Sequence, residues 1–561
     1  MAPKLPAFNG AAAHSSWICI NYLPLISMPP LDLVILMGRD SEGTFDAVPE
    51  RKQREGNGLE TAIRKFKMAA YLWQAFTGEQ MNRNNFGRRC FRLEEEWQPG
   101  SLSQRDAEIP SMRNEAKIHI VRTDKTVAEL RDLDRAQQYQ PATKKGELFS
   151  IAMDAVRDHF KPRPGQVRYV SVLLLDTHWD SQAGVVRGHA ALGGGAGDIQ
   201  LAVFGSHSLQ SYPSNFEEVV SAFTDCTRTD TRFVANDCSE SGSNWEAANI
   251  GIGAHLHETG HLFGCPHQES GVMLRDYVRL NRTFVSREPY STRTKEPGQR
   301  LCLPSDECAW HRLDCLRFRY HPCFRLPSDP PANADDSVQV WAVDNGNVLV
   351  TAASGIAWIE LFAQADDVCK SSIEYLDKFN LMAPLPRQIL LTENELRSKL
   401  PSDKRKSKIK VEIFSGGQGK HTIDNFSDLV SKDARVKIQS AQFGNSQFGF
   451  RGGKLGFSQQ EGSRPEEIIL KSAVDPKNFM MAVKIYAGFA FDGIEFFYEN
   501  NTSQLFGKRG GSSSEFALDT RRGEFIMGFY LRAGLWIDGI QIITNLGRKS
   551  EVYGNPHGGS G

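Results

Sequence analysis

The sequence predicts an α/β first half followed by an all-β C-terminal part, and three observations carry that reading. Strand-like and helix-like runs alternate between Leu31 and Leu175, the pattern of βαβ units and of a mostly parallel sheet. From Val338 the text changes to short alternating β-like runs. Near the end, "AGFAFDGIEF" (Ala487 to Phe496) recurs as "AGLWIDGIQI" (Ala533 to Ile542), 46 residues later. A repeat of that length reads as one small sheet per unit. At 561 residues the chain has room for about three or four domains.

The elements follow in order. "WICINYLPLISM" (Trp17 to Met28) has no basic leader and no small-residue cleavage site, and Pro24 interrupts it, so residues 1–30 read as a tail. "LDLVILMG" (Leu31 to Gly38) reads as a buried strand. Leu59, Ile63, Phe66, Ala70, Trp73 and Phe76 stand at helical spacing. Strand-like runs at Lys117 to Arg122 and Arg168 to Leu175 flank a helix-like stretch, Gly146 to Phe160. "GHAALGGGAGDIQLAVFG" (Gly188 to Gly205) is a glycine-rich approach to a strand, readable as an open sheet edge or as a flexible loop. Ser214 and Glu217 form a capping-box pattern ahead of Val219, Val220 and Phe223, which predicts a helix start. "SDPPANADD" (Ser328 to Asp336) marks a boundary, giving a first domain over 31–330 and a β-rich intermediate region over 331–430 with runs such as "VQVWAV", "NVLVTA" and "IKVEIF". Within it the basic cluster Lys404 to Lys410 reads as a solvated loop before a strand. The last domain, 431–561, carries the repeat. Its units end in glycine corners, "FGKRGGS" from Phe506 and "YGNPHGGS" from Tyr553, and an earlier corner, "GFRGG" (Gly449 to Gly453), marks a third unit. Three such sheets would close around a shared core as a prism.

Composition limits the partners. Lys+Arg (66) and Asp+Glu (67) nearly cancel, so no bulk field gathers nucleic acid or an anionic membrane. No run approaches the roughly 18 apolar residues of a transmembrane helix. Ten cysteines in this length is not the density of a disulfide scaffold and points to the cytoplasm, while sequons at Asn281, Asn425, Asn500 and Asn501 leave secretion open. Cys302, Cys308, Cys315 and Cys323, with His311 and His321 among them, match no C-x-x-C spacing and read as packed free thiols. Cys265 reads as a small buried side chain.

The chemistry concentrates in "HETGHLFGCPH" (His257 to His267). Residues four apart lie one turn apart on a helix, so His257 and His261 can both aim an imidazole at one ion. Glu258, displaced around the helix, can serve as general base without being a ligand. Gly264 supplies the left-handed residue that ends a helix, so the reversed chain can return His267 to the metal. Three histidines leave a fourth tetrahedral position for water, the catalytic arrangement for zinc. Such a site, with one Zn2+ per chain, would hydrolyse a protein or peptide substrate without a covalent intermediate. Tyr277 reads either as a group that stabilises the developing oxyanion or as a packing residue.

The stretch resembles the zinc helix of the metzincin metalloendopeptidases, in which a methionine-bearing turn follows the third histidine; Met273, in "SGVML", is the Met-turn candidate. The resemblance also implies that the glycine-rich edge strand binds substrate backbone by strand addition. Together with "AAYLWQAFTGEQMNRNNFGRRCFRLEEEW" (Ala69 to Trp97) and "CAWHRLDCLRFRYHPCF" (Cys308 to Phe324), the motif makes nearly the whole chain similar to fungal zinc metalloproteinases that join a peptidase region to a jacalin-type lectin domain. The repeat resembles the β-prism of those lectins, which hold sugar between a GG corner and a G-x-x-x-D loop. The positions that match are Gly488 and Asp492 with Gly510 and Gly511, and Gly534 and Asp538 with Gly558 and Gly559. Two features depart from that pattern. Phe489, Ala490 and Phe491 are apolar where sugar hydroxyls need polar partners, so the aspartates read instead as turn caps or, less readily, as sugar ligands. The chain stops at Gly561, just after the third corner, so the prism is expected to be truncated. The reading implied is a zinc metalloendopeptidase whose lectin-like domain recruits glycans or glycoproteins. Its rivals are a catalytically inactive lectin-like binding protein with a vestigial zinc site, and an aminopeptidase or other zinc hydrolase.

Overall fold

The structure is a computed structural model that describes residues 28–329, 336–343, 346–364, 366–377, 380, 383–430, 435–439, 446–450, 470, 478–534 and 536–559. Most of the tail 1–30, the middle of the boundary at Ser328 to Asp336, and residues 451–453 of the third glycine corner lie outside them. The chain divides into two compact units. One takes in the residues up to Val340 together with 350–389 and 394–424; the other takes in 341–349, 390–393 and 425–561.

The first unit is built on a five-stranded sheet. Its strands are β1 (Leu31–Met37), β2 (Ile118–Arg122), β3 (Arg168–Leu174), β4 (Leu192–Ala196) and β5 (Ile199–Gly205), in the order β2-β1-β3-β5-β4. β1, β2, β3 and β5 run parallel, and only β4 is antiparallel, pairing Leu192 with Val203. Its four longest helices among the described residues are α1 (Leu59–Arg83), α2 (Glu147–Phe160), α3 (Asn244–Leu262) and α4 (Arg312–Tyr320). β1 is buried along its whole length because it feeds two cores. Leu31, Leu33, Ile35 and Met37 join the core of α1 and α3, while Val34 and Leu36 join Leu148, Ile151 and Val156 of α2 on the other face. A strand covered on both sides has no polar alternation to show.

Some expected boundaries move. α1 continues past Phe76 to Arg83 because its next inward residues are polar yet satisfied: Thr77 Oγ1 accepts from Trp310 Nε1 (3.1 Å), and Gln80 Nε2 donates to the Cys308 carbonyl (3.3 Å). The capping box is not Ser214 with Glu217. Asn215 caps the turn by accepting from Glu218 N (3.1 Å), and Glu217 instead accepts from Gln104 N (3.2 Å). The helix beyond is only Val219–Ala222.

The region 331–430 is divided rather than forming a separate body. Its antiparallel strands β6 (Ile356–Ala363), β7 (Ser371–Glu374), β8 (Ile409–Ser415) and β9 (Lys420–Ile423) form a sheet in the order β7-β6-β8-β9 within the first unit. Arg317 of α4 reaches fully buried Glu360 of β6 at 2.6 Å, and Trp358 stacks on Phe414 (4.5 Å between ring centres). The basic cluster Lys404 to Lys410 precedes and enters β8.

Two antiparallel sheets of the second unit carry the repeat. β10 (Met480–Ala487), β11 (Phe491–Tyr498), β12 (Ser503–Gly507) and β13 (Ser512–Ala517) take the order β12-β11-β10-β13, and β14 (Ile526–Ala533), β15 (Ile537–Thr544) and β16 (Tyr553–Gly554) take the order β14-β15-β16. The sequence repeat is a structural one. The hairpin β10–β11 shifts register between Tyr486 and Ala487, and β14–β15 shifts at the equivalent Arg532 and Ala533. Val483, Ile485, Ile494, Phe496 and Phe516 share one core with Ile540, Ile542 and Tyr553. In the third repeat unit, Arg435–Gln439 pairs with Ser446–Phe450. No helix among the described residues is long and apolar enough to cross a membrane.

Candidate functional site

Every residue of α3 is buried except His261, so the helix has no solvent face. Its glycines buy contact at the expense of helix propensity, about 1 kcal/mol each relative to alanine. A Cβ on Gly251 would come within 2.6 Å of the Tyr212 hydroxyl, on Gly253 within 2.5 Å of Tyr277 Cβ, and on Gly260 within 2.6 Å of Met273 Sδ. The sequence therefore lets three neighbours press on the helix that carries the histidines.

The helix ends as its motif requires. Gly264 has φ +83°, Gly264 N donates to His261 O (2.9 Å), and Cys265 N donates to Gly260 O (3.0 Å), a Schellman-type exit. That exit aims the Cys265 carbonyl at His261 Nδ1 (2.8 Å), and the following turn aims the Val272 carbonyl at His257 Nδ1 (2.8 Å). With Nδ1–H donating in each case, Nε2 is left with its lone pair free, the tautomer a metal ligand needs. One ligand nitrogen each from His257, His261 and His267 lies within 4.8 Å of the others, and burial decreases from His257 to exposed His267, so the cluster opens to solvent on one side. Burial lowers the His257 imidazole to about 4 and also lowers His261, which keeps both neutral. The donor set of three imidazoles, two of them pre-oriented by backbone carbonyls, fits zinc.

Glu258 is 8% exposed, and burial pushes its carboxyl up to about 8. Met273 is buried in a short turn beneath Gly260, and the turn is pinned by Val272 N donating to Ala309 O (2.9 Å). Tyr277 packs its ring 5.8 Å from that of His257, with its hydroxyl accepting from Arg275 Nε (3.0 Å). β4 runs beside the zinc-motif helix: a Cβ on its Gly193 would fall 2.2 Å from Glu258 O. The Val272 and Cys265 carbonyls and Trp310, which lies with Met273 against Gly260, were not visible as site residues; backbone acceptors leave no mark in a sequence. Among the described residues the nine cysteines are free, with Cys265, Cys308, Cys315 and Cys323 buried and Cys302 partly so.

In the second unit the eight lectin-type positions come together as two equivalent clusters. A Cβ on Gly488 would lie 3.4 Å from Asp492 Oδ2, on Gly510 2.8 Å from Asp492 Cγ, and on Gly511, at φ +62°, 2.3 Å from Ala487. The second set repeats this. A Cβ on Gly534 would lie 3.7 Å from Asp538 Oδ2, on Gly558 2.5 Å from Asp538 Oδ1, and on Gly559, at φ +58°, 2.6 Å from Asp538 Oδ2. Between the loops stand two exposed rings, Phe489 (78% exposed) and Trp536 (51%), edge to face with centres 6.4 Å apart.

A family profile described as "Putative peptidase family" matches residues 5–357. The chain belongs to this peptidase family. A second profile, "Jacalin-like lectin domain", matches residues 448–560, so the mixed α/β chain ends in a jacalin-like domain. A relative in Saccharomyces cerevisiae, named as a "Putative zinc metalloproteinase", is 38% identical over 97% of this chain and 84% of its own length. One of the same name in Schizosaccharomyces pombe is 38% identical over 96% of this chain and 81% of its own. Among solved structures, wild-type OgpA of Akkermansia muciniphila is 12% identical, covers 70% of this chain and 92% of its own, and superposes at a TM-score of 0.35, a likeness too loose to carry an inference.

Proposed function

We propose that this family member is a zinc-dependent metalloendopeptidase with a metzincin-like catalytic unit. The observation that carries the reading is the convergence of His257, His261 and His267 beside a glutamate that is not one of the three; the names of the two yeast relatives support it. Zinc held there would supply Lewis acidity, drawing charge from the scissile carbonyl and making water acidic enough to attack near neutral pH. The positive charge of zinc beside it would favour the carboxylate form of Glu258 against the burial that raises it, and Glu258 then takes the proton from the attacking water and delivers it to the leaving amine. Val272 O and Cys265 O keep two imidazoles in the ligating tautomer. The antiparallel edge position of β4, next to Glu258 and His261, suits a substrate backbone that pairs along its outer side. Met273 serves as the Met-turn under the centre.

Glu258→Ala should keep zinc and fold but lose hydrolysis by a factor of about 10² or more. Wild-type rates in that variant, with zinc content equal, would remove Glu258 from the mechanism.

The second unit is a β-prism-like domain that recruits glycans or glycoproteins. Support comes from the doubled aspartate and glycine clusters and from the exposed Phe489 and Trp536, whose rings offer the apolar face of a sugar a stacking surface in place of some hydrogen bonds. On a glycan array the full chain should bind, and Asp492→Asn combined with Asp538→Asn should reduce the signal about tenfold, the loss of roughly one charged hydrogen bond. An undiminished signal in the double variant would assign the aspartates to turn capping.

A further inference from the structure

On the sheet face opposite α3, three metal-competent side chains from three different segments converge. They are Asp32 of β1, Glu94 at the entry to the strand Glu95–Pro99, and His119 of β2, with one ligand atom from each within 4.8 Å of the others. Asp32 and Val34 share a strand face, and Val34 lies opposite His119 in the parallel pairing, so the backbone register itself sets this meeting. His119 Nε2 is 2.7 Å from Glu94 Oε2, and its Nδ1 is 3.1 Å from Nε2 of His159 near the end of α2. When Nδ1–H donates to His159, Nε2 of His119 carries a free lone pair toward the carboxylates.

The second observation is Asp32. It is completely buried, and neither of its oxygens has a hydrogen-bond partner. Its nearest cation, Arg168, stands 3.5 Å from Oδ2, with its guanidinium drawn over the Phe160 ring at 4.5 Å. Lys117 occupies the other oxygen of Glu94, Oε1, at 3.2 Å, leaving Oε2 to face His119. A carboxylate buried without a donor costs several kcal/mol, and two remedies exist: a proton or a metal ion.

We propose that Asp32, Glu94 and His119 form a second divalent-cation site, distinct from the three-histidine centre, with His159 orienting His119. Two carboxylates and an imidazole suit zinc, and zinc is the probe to use. The ion would cross-link β1, β2 and the chain entering Glu95–Pro99, a structural rather than a hydrolytic duty.

The test is zinc per full-length chain, measured by elemental analysis after equilibration with zinc and gel filtration. About two ions are expected in the wild type, about one in His261→Ala, about one in His119→Gln and close to none in the double variant. Zinc should raise the melting temperature of His261→Ala and leave that of His261→Ala/His119→Gln unchanged. The proposal is overturned if the wild type holds one ion and His119→Gln holds the same, or if the double variant still holds one. If His119→Gln loses both ions through misfolding, Glu94→Gln, at a partly exposed position, decides: loss of one ion supports the site and retention of two ends it. Because His261→Ala removes the three-histidine centre alone, failure of the catalytic reading and failure of this one give different stoichiometries.

Discussion

At Gly193 the edge strand comes closer to the zinc-motif helix than any side chain would permit. A Cβ there would fall 2.2 Å from Glu258 O and 2.6 Å from His261 Cβ, and neither atom is the loose end of a flexible side chain. Gly193→Ala must therefore push β4 away from α3, at a cost of about 1–3 kcal/mol if overpacking sets it. The expected outcome is a lower melting temperature and a larger loss of hydrolysis than of bound zinc, since β4 lies beside Glu258 while the three candidate ligands sit on α3 and its exit. Full activity at an unchanged melting temperature would mean that the strand and helix are not in the contact described. The sequence displayed this glycine within a conspicuous run but gave no reason for it, because the atoms it must clear lie 65 and more positions away. The convergence of the three histidines and the helix exit at Gly264 were legible at this scale because their relation is local: four residues per helical turn and one left-handed exit. The carbonyls of Val272 and Cys265, which fix two of the imidazoles, were not, because every residue has a carbonyl.

Elements were legible where their hydrophobic pattern was uninterrupted, as in β1, α2, β3 and the two repeat hairpins, and were misjudged where a buried position carried a polar group. α1 runs on through Thr77 and Gln80, whose partners, Trp310 and the Cys308 carbonyl, come from over 200 residues away. The same difficulty hid the attachment of β6, whose centre is the charged Glu360, 0% exposed. Glu360 is held by Arg317 of α4 at 2.6 Å and by Trp358 Nε1 at 2.9 Å, so a residue that reads as solvent-facing pins a strand to a helix. Arg317→Met should leave that carboxylate buried with one neutral donor and cost about 3–5 kcal/mol, whereas Arg317→Met with Glu360→Leu should cost clearly less, because it removes the orphaned charge as well. Urea denaturation of the two variants measures the difference. Equal costs would show that packing, not charge pairing, ties β6 to α4.

The near-neutral composition gives no hint of how the whole molecule responds to acid; that depends on which ionisable groups the folds bury. Burial holds His321 at about 3 and raises Asp314 to about 7, against their ordinary 6.5 and 3.8. The two act in opposite directions. Between pH 6.5 and 3 an unfolded His321 takes up a proton that the folded one refuses, so stability falls with pH at up to about 1.4 kcal/mol per pH unit. Between pH 7 and about 4 a folded Asp314 takes up a proton that the unfolded one does not, so stability rises as pH falls over almost the same window. Each term therefore conceals the other in the wild type, and a variant that removes one should reveal it. His321→Asn keeps an acceptor for Cys323 N, which now donates to His321 Nδ1 at 3.2 Å, and it carries no titration of its own. Its melting temperature should lie below that of the wild type at pH 7, where the smaller side chain leaves a cavity, and the gap should close steadily as the pH is lowered toward 4. A gap that stays constant from pH 7 to pH 4 would mean that His321 is protonated in the folded chain as readily as in the unfolded one, and that its burial among Tyr169, Phe263 and Phe324 does not exclude charge.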